Sequence, residues 1–158
     1  MAERKKIAAI VTTYFPRSHA DVVVTKFLKG FPTDEGLLPP QVDIVSMYMD
    51  QVHEKDVGLD LMKAHNVPVH RSIPAALKMG GKDLAVDGVL IIGEHGDYAW
   101  NEKEQQLFPR RFFFEQVCGV LATSGRVVPV FSDKHLAYDW SNAKWMYDRA
   151  RDLGVPFM

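Results

Sequence analysis

The chain alternates short apolar runs with segments of helical periodicity, and this alternation restricts its fold more than any other feature. The first run, Ile7–Val11, leads through Thr12-Thr13-Tyr14-Phe15-Pro16 into a helix predicted over His19–Lys29. Strands separated by helices pair in parallel through right-handed crossovers. Further strands are predicted at Val42–Met49, Val67–His70, Val86–Ile92, Val127–Phe131 and Val155–Met158.

Helical segments fill most of the intervals between these strands. They are predicted at Lys55–His65, directly after Ser72, at Arg110–Ser124 and at Asp139–Leu153, whereas Phe31–Gln41 is predicted to be a loop because of its prolines. This order favours an α/β fold with a doubly wound, mainly parallel six-stranded sheet, Rossmann-like in the order 3-2-1-4-5-6, with the order 2-1-3-4-5 as the alternative.

The bulk composition fits one globular domain, residues 1–158. The chain is 47% apolar and 25% charged, and its net charge of −1 provides no strong attraction to nucleic acid or to an anionic membrane. Its single cysteine, Cys118, lies on an apolar helical face, and we expect it to be buried. We find no signal peptide and no apolar run of the roughly 20 residues that a membrane span needs. The expected location is cytoplasmic.

Ligands of doubly wound sheets bind beyond the carboxyl ends of the strands. Four loops are expected at that edge: Thr12–His19, Asp50-Gln51, Gly93–Tyr98 and Ser132–His135. The first loop enters a helix, where free N–H groups favour phosphate, but it contains no glycine to let a ligand approach the backbone. The long polar segment Gly93–Pro109 is also typical of a functional loop.

Each of the prominent polar residues in these loops has two readings. Asp50 can bind ribose hydroxyls or end a strand as a turn residue, and Lys134 can act near a reacting carbon or be solvated. His95 and His135 have metal-capable chemistry but lack a tight ligand spacing, and no metal site is predicted. Arg110-Arg111 can anchor phosphate, although we expect a surface role for them.

The second half of the chain resembles the amino-terminal domain of the Gfo/Idh/MocA oxidoreductases. The resemblance rests on VDGVLIIGEHGDY, SGRVVPVFSDKHLA and DLGVPFM, in which Asp133-Lys134-His135 stands at the position of the family's Glu-Lys-Pro motif. The chain departs from the family where Val11, Thr13 and Pro16 replace the glycine-rich turn. It also departs where Glu94-His95 replaces a Pro-Pro pair.

The resemblance implies the nucleotide-binding half of a longer two-domain oxidoreductase that uses NAD or NADP on a sugar or polyol-type substrate. It implies a missing carboxy-terminal domain or a homo-oligomer, and a small-molecule ligand as partner. Lys134 and His135 are the predicted catalytic residues. The predicted cofactor-binding residues are Thr12, Thr13, Tyr14, Arg17, Ser18, His19, Asp50, Glu94, His95 and Lys134.

Two other functional classes are compatible with the sequence. The first is a non-catalytic Rossmann-like module that has lost the dinucleotide and binds a sugar or a small anion. The second is a metal-dependent hydrolase built on His19, His95, Asp97 and His135.

Overall fold

The computed structural model describes residues 3–158, which form a parallel sheet with helices on both faces. The elements in chain order are β1 (Lys5–Val11), α1 (His19–Lys29), β2 (Phe31–Thr33), β3 (Gly36–Leu38), β4 (Val42–Met49), α2 (Gly58–Ala64), β5 (Val69–His70), α3 (Ile73–Leu77), β6 (Gly88–Ile92), α4 (Arg110–Thr123), β7 (Val130–Ser132) and α5 (Trp140–Leu153).

The main sheet has the order β5-β4-β1-β6-β7, and all of its strand pairs are parallel. This arrangement confirms the predicted Rossmann-like α/β class and the order 3-2-1-4-5 of its first five strands. The prediction of a sixth regular strand was wrong. Phe157 forms only an isolated parallel bridge with Val130, so the end of the chain runs beside β7 without becoming a regular strand.

The predicted loop over Phe31–Gln41 was wrong in part, because it contains a small antiparallel hairpin. Phe31 pairs with Leu38 and Thr33 with Gly36. Gly36 has a φ of 129°, a backbone conformation that residues with a side chain rarely adopt. This glycine therefore lets the chain reverse direction. Pro32 is tolerated because a two-stranded ribbon does not need every N–H for pairing.

Several predicted boundaries move by two or three residues. β7 begins at Val130 instead of Val127, and Pro129 before it has no N–H to donate to a neighbouring strand. Helix α2 begins at Gly58 instead of Lys55. The Asp56 carboxylate accepts from Leu59 N at 3.0 Å, which holds the segment before Gly58 in a turn.

Two apolar layers cover the sheet, because successive residues of a strand point to opposite faces. Ile10 and Ile91 belong to the layer that includes residues of α3, α4 and α5, whereas Val11 and Ile92 belong to the layer with residues of α1 and α2. Cys118 is buried in the first layer as predicted, and burial raises the pKa of its thiol to about 11. Within residues 3–158, no helix has the length and apolar character to cross a membrane.

Candidate functional site

A cavity of about 1090 Å³ lies at the carboxyl edge of the parallel sheet. Its walls come from the segments that follow four neighbouring strands, represented by Thr13 after β1, Gln51 after β4, Glu94 after β6 and His135 after β7. Small-molecule sites in proteins usually occupy roughly 300–1,000 Å³. The cavity therefore has room for a ligand of considerable size at the edge where such folds bind ligands.

A buried arginine organises one wall of this cavity. Arg110 begins α4 and is only 1% exposed. Its Nη2 donates to the Glu94 carboxylate, and its Nη1 lies 3.1 Å from His135 Nε2. A Cβ on Gly93 would lie 2.6 Å from Arg110 Cγ, so the missing side chain of Gly93 leaves the space that Arg110 occupies. The expected surface position of Arg110 was therefore wrong.

The contact with Arg110 determines which nitrogen of His135 carries the proton. A guanidinium has N–H donors and no acceptor, so His135 Nε2 must accept this hydrogen bond. In the neutral ring the proton then resides on Nδ1. His135 itself is exposed and lines the cavity, which makes its Nδ1–H a donor for a bound ligand.

A second histidine is tied to a carboxylate from a distant part of the sequence. His19 Nδ1 lies 2.5 Å from Asp133 Oδ2, although the two residues are 114 positions apart. The His95 ring stands edge-on to the His19 ring with their centroids 5.1 Å apart. Burial, together with the charge of His19, lowers the pKa of His95. His95 therefore presents a neutral ring to the cavity at neutral pH.

Three of the converging loops contain a residue in the left-handed backbone region. Arg17 follows β1, His95 follows β6 and Lys134 follows β7, with φ values of 68°, 68° and 67°. Residues other than glycine adopt this conformation at a cost, and such residues cluster at functional sites. Their coincidence at one sheet edge supports the assignment of this edge as the candidate site.

Asp50, at the end of β4, is exposed and held by two tyrosines. Its two carboxylate oxygens accept from the hydroxyl groups of Tyr48 at 2.6 Å and Tyr98 at 2.7 Å. Burial, aided by the bond to Asp50, raises the pKa of Tyr48 to about 12 and also raises the pKa of Tyr98. Both tyrosines therefore remain protonated donors, and the carboxylate keeps lone pairs for further hydroxyl groups.

The residues of the β1–α1 turn have mostly structural contacts. Thr12 Oγ1 donates to the Glu94 carbonyl at 2.6 Å. Tyr14 is fully buried, its hydroxyl lies 2.7 Å from Thr25 Oγ1, and it does not line the cavity. Thr13 does line the cavity, and its buried Oγ1 has no hydrogen-bond partner among the described residues. Thr13 is therefore the side chain of this turn that is available to a ligand.

The amino terminus of α1 is capped by its own side chains. Ser18 Oγ accepts from Asp21 N and from Phe15 N, both at 3.2 Å. The Asp21 carboxylate accepts from Arg17 N at 2.7 Å and adds negative charge to the first turn. Arg17 is exposed and brings the opposite charge to the same turn. This helix entrance is less open to phosphate than a glycine-rich turn would be.

The structure brings only part of the predicted set to the cavity surface. Thr13, Glu94, His95 and His135 line it. The other predicted site residues do not line it: Thr12, Tyr14, Arg17, Ser18, His19, Asp50 and Lys134. Among residues 3–158, no group of three or more His, Cys, Asp or Glu side chains is arranged to hold a metal ion.

Several lining residues are absent from the predicted catalytic and cofactor-binding sets. They are Phe15, Gln51, Trp100, Gln105, Gln106, Arg110 and Tyr138. Three of them, Trp100, Gln105 and Gln106, belong to the Gly93–Pro109 segment, whose length and polarity were the available signal. Arg110 was recognised as a possible phosphate anchor but was assigned to the surface, because an arginine at a helix start is most often solvated.

No protein-family model and no curated protein matches the chain. Among solved structures, it is similar to apo scyllo-inositol dehydrogenase from Lactobacillus casei, with a TM-score of 0.60 and 14% identity over 99% of this chain and 36% of that chain. It is similar to the dehydrogenase MviM from Clostridium difficile, with a TM-score of 0.57 and 13% identity over 99% of this chain and 39% of that chain.

A third similar structure is biliverdin reductase from Synechocystis sp. PCC 6803 in complex with biliverdin and NADP+. Its TM-score is 0.53, with 16% identity over 96% of this chain and 36% of that chain. The chain thus spans a little over a third of the length of each of these proteins. At such low identity the likeness concerns the fold, and it confirms the Rossmann-like α/β fold that this chain shares with these three proteins.

Proposed function

We propose that the chain is the nucleotide-binding domain of an NAD(P)-dependent oxidoreductase that acts on a sugar or polyol-type substrate. The observation that carries this proposal is the cavity at the carboxyl edge of β1 and β6, the strands between which the sheet order reverses. Dinucleotides bind at this switch point in doubly wound folds. The fold shared with dehydrogenases and reductases supports the same class of reaction.

The ribose end of a dinucleotide fits the residues at the end of β4. Asp50 is exposed, oriented by two tyrosine hydroxyls and able to accept from ribose hydroxyl groups. A carboxylate at this position repels the extra phosphate of NADP(H). We therefore expect NAD(H) to bind more tightly than NADP(H).

The pyrophosphate end has fewer favourable groups. Thr13 Oγ1 is buried without a partner and offers a donor, and the first N–H groups of α1 have no acceptor within the helix. The Arg17 guanidinium adds positive charge, and the Asp21 carboxylate opposes it. These groups predict a dinucleotide affinity below that of domains with a glycine-rich turn.

When bound, a nicotinamide cofactor supplies hydride acceptance or donation. The residues of this chain supply position and protons. His135 holds a proton at Nδ1 on the cavity wall, where it can donate to a substrate oxygen, and Lys134 stands beside it on the same exposed loop. Because the chain spans about a third of its structural neighbours, we propose that a further domain completes the active site.

The test is a calorimetric titration of the protein with NADH and with NADPH. We expect NADH to bind, and we expect Asp50→Ala to weaken the binding of NADH more than the binding of NADPH. Asp43→Ala is the matched control, because Asp43 is an exposed carboxylate near the opposite end of the same strand and pairs with Arg4 at 3.2 Å. Absence of binding of both dinucleotides at millimolar concentration would refute the proposal.

A second function, a ligand-binding module that has lost the dinucleotide, is favoured by the self-capped start of α1. Ser18 already satisfies an N–H of the first turn, and Asp21 carries the charge that a phosphate would otherwise supply. This function predicts that Thr13→Gly and Pro16→Gly leave ligand binding intact. If the unsubstituted chain binds NADH and both substitutions raise that affinity, the turn is a weakened cofactor site and the first proposal is supported.

A further inference from the structure

We infer that residues 96–98 form a strap across the dinucleotide path of the cavity and that this strap opens before a dinucleotide binds. The inference rests on the proposed function, because the ligand that the closed strap excludes is the cofactor of that reaction. It adds a conformational step to that function and assigns the control of this step to two side chains, Gln51 and Tyr98.

Three hydrogen bonds fasten the strap to the end of β4. Gln51 Nε2 donates to Asp97 O at 3.0 Å, and Asp97 N donates to Gln51 Oε1 at 2.8 Å. The Tyr98 hydroxyl donates to Asp50 Oδ2 at 2.7 Å. The side-chain amide of Gln51 therefore pairs with the backbone of the strap as a neighbouring strand would, and Tyr98 adds a second point of attachment.

The order of the strands places this strap over the expected position of a dinucleotide. Because β1 lies between β4 and β6, contacts between the segment after β6 and the residues after β4 span the carboxyl end of β1. In doubly wound folds the pyrophosphate lies at the turn after the first strand, and the ribose lies at an acidic residue after the next strand. These positions correspond to Thr13 and Asp50. The closed strap joins the two sides of this path.

The closed strap competes with a dinucleotide at both positions. Tyr48 and Tyr98 each hold one oxygen of Asp50, so the release of Tyr98 leaves a whole carboxylate oxygen for a ribose hydroxyl. Asp97 is exposed and lines the cavity, where its negative charge repels a pyrophosphate. Movement of the strap away from β4 displaces the competing hydroxyl and the repelling carboxylate together.

The contacts of the strap allow it to leave β4 while the rest of its segment stays folded. It begins at His95 and Gly96, which have positive φ values of 68° and 119°, and strained residues of this kind cluster at switch regions. Gln106 Nε2 donates to Gly96 O at 3.0 Å and to Tyr98 O at 3.3 Å, and these bonds lie within the segment. The three bonds to β4 are exposed, so water replaces them at small cost.

The first experiment compares the affinities of variants for NADH by calorimetric titration. Tyr98→Phe keeps the ring and removes the bond to Asp50, so we expect NADH to bind about fivefold more tightly, a difference of about 1 kcal/mol. Tyr48→Phe is the matched control, because Tyr48 holds the other Asp50 oxygen at 2.6 Å from within β4. It should not raise the affinity. Equal gains in the two variants would contradict the inference.

Amide hydrogen exchange, followed by NMR, reports the opening of the strap independently of affinity. In the unliganded protein, Gln51→Ala should speed the exchange of the Asp97 amide about tenfold, because this N–H loses its acceptor. Gln41→Ala is the control, since Gln41 is exposed and donates to Pro39 O. In the unaltered chain, saturating NADH should speed exchange at the same amide. Unchanged or slower exchange with NADH would show that the strap stays closed and would overturn the inference.

Failure of the strap and failure of the proposed function give different results. If NADH binds to the unaltered chain and the Tyr98→Phe variant binds it no more tightly, the strap is overturned and the oxidoreductase proposal is supported. If NADH binds only to the Tyr98→Phe variant, the strap is supported and the proposal is overturned for the unaltered chain. If NADH binds to neither at millimolar concentration, both are overturned.

Discussion

Two turns at the carboxyl edge of the sheet, residues 12–18 after β1 and residues 93–110 after β6, differ in how their side chains are packed. The first has no glycine and is closed by its own side chains, with Tyr14 in the core and Ser18 capping α1. The second has Gly93 and Gly96 and surrounds a charged side chain, Arg110, with polar groups. Of these two segments, only the second contains glycines of its own.

Each turn depends on a glycine that makes room for one large side chain. A Cβ on Gly58 would lie 2.6 Å from Tyr14 Cβ, and a Cβ on Gly93 would lie 2.6 Å from Arg110 Cγ. Tyr14 fills an apolar layer, whereas Arg110 holds Glu94 and His135 at the cavity. The first turn therefore packs into the core, whereas the second lines the cavity.

The largest effect should come from Glu94→Ala. Removing this carboxylate leaves the 1% exposed Arg110 guanidinium without its charged partner, at a cost of about 3 kcal/mol in the free energy of unfolding. Chemical denaturation measures it. Asp97→Ala, in the same loop but exposed, is the control and should change stability little. Equal stability of the two variants would show that the second turn does not depend on the buried pair.

A pair of substitutions, Gly93→Ala and Gly58→Ala, compares the two turns directly. Each added methyl overlaps a packed side chain, and we expect each to cost about 1–3 kcal/mol of stability. Only Gly93→Ala should also weaken ligand binding, because it displaces Arg110. Gly119→Ala is the control, since no atom lies within 4 Å of its added Cβ in α4, and it should be neutral or stabilising.

Ser18→Ala tests whether the first turn is closed by its cap. Loss of the hydrogen bonds from Asp21 N and Phe15 N should destabilise the protein by about 1 kcal/mol. Ser72→Ala removes the corresponding cap of α3, which does not line the cavity, and should lower the free energy of unfolding by a similar amount. If only Ser18→Ala changes dinucleotide affinity, the cap of α1 belongs to the binding site.

The smallest effect should be a change in the pH dependence of stability on His95→Gln. Burial and the neighbouring His19 lower the pKa of His95, whereas Glu94 and Asp133 act in the opposite direction. The neutral ring of His95 therefore contributes fully to stability above about pH 6.5, the ordinary pKa of histidine. This contribution is lost as the pH falls through the lower pKa of the folded state. Urea unfolding across this range should show a shallower acid decline in the variant. The exposed His65→Gln is the control.

Much of the fold could be read from local patterns. The bounds of α1 and β4 are where the periodicity and residue types predicted them. The hairpin of β2 and β3 was missed, because its prolines and glycine are equally typical of an irregular loop. A sixth regular strand was overpredicted from an apolar chain end that forms a single bridge.

The position of the candidate site could be predicted from the sequence, but the residues that line it could be predicted only in part. Strand order alone places the loops of Thr13, Glu94, His95 and His135 at one edge, and these four residues line the cavity. Arg110 and Trp100 were not identified, because neither charge nor aromatic character at a single position tells which way a side chain points. The spacing of the adjacent Arg110 and Arg111 is equally compatible with either arginine facing inward.

The alternation of strands and helices, the parallel sheet and the edge at which a ligand would bind follow from apolar periodicity and chain connectivity, and they can be predicted from the sequence. The burial of Arg110 against Glu94 and the contact of His19 with Asp133, 114 residues away, become visible only in the folded chain. The same is true of the burial of Tyr14 in the core. Periodicity indicates which residues avoid water, whereas pairing between charged groups depends on which loops the completed sheet brings together.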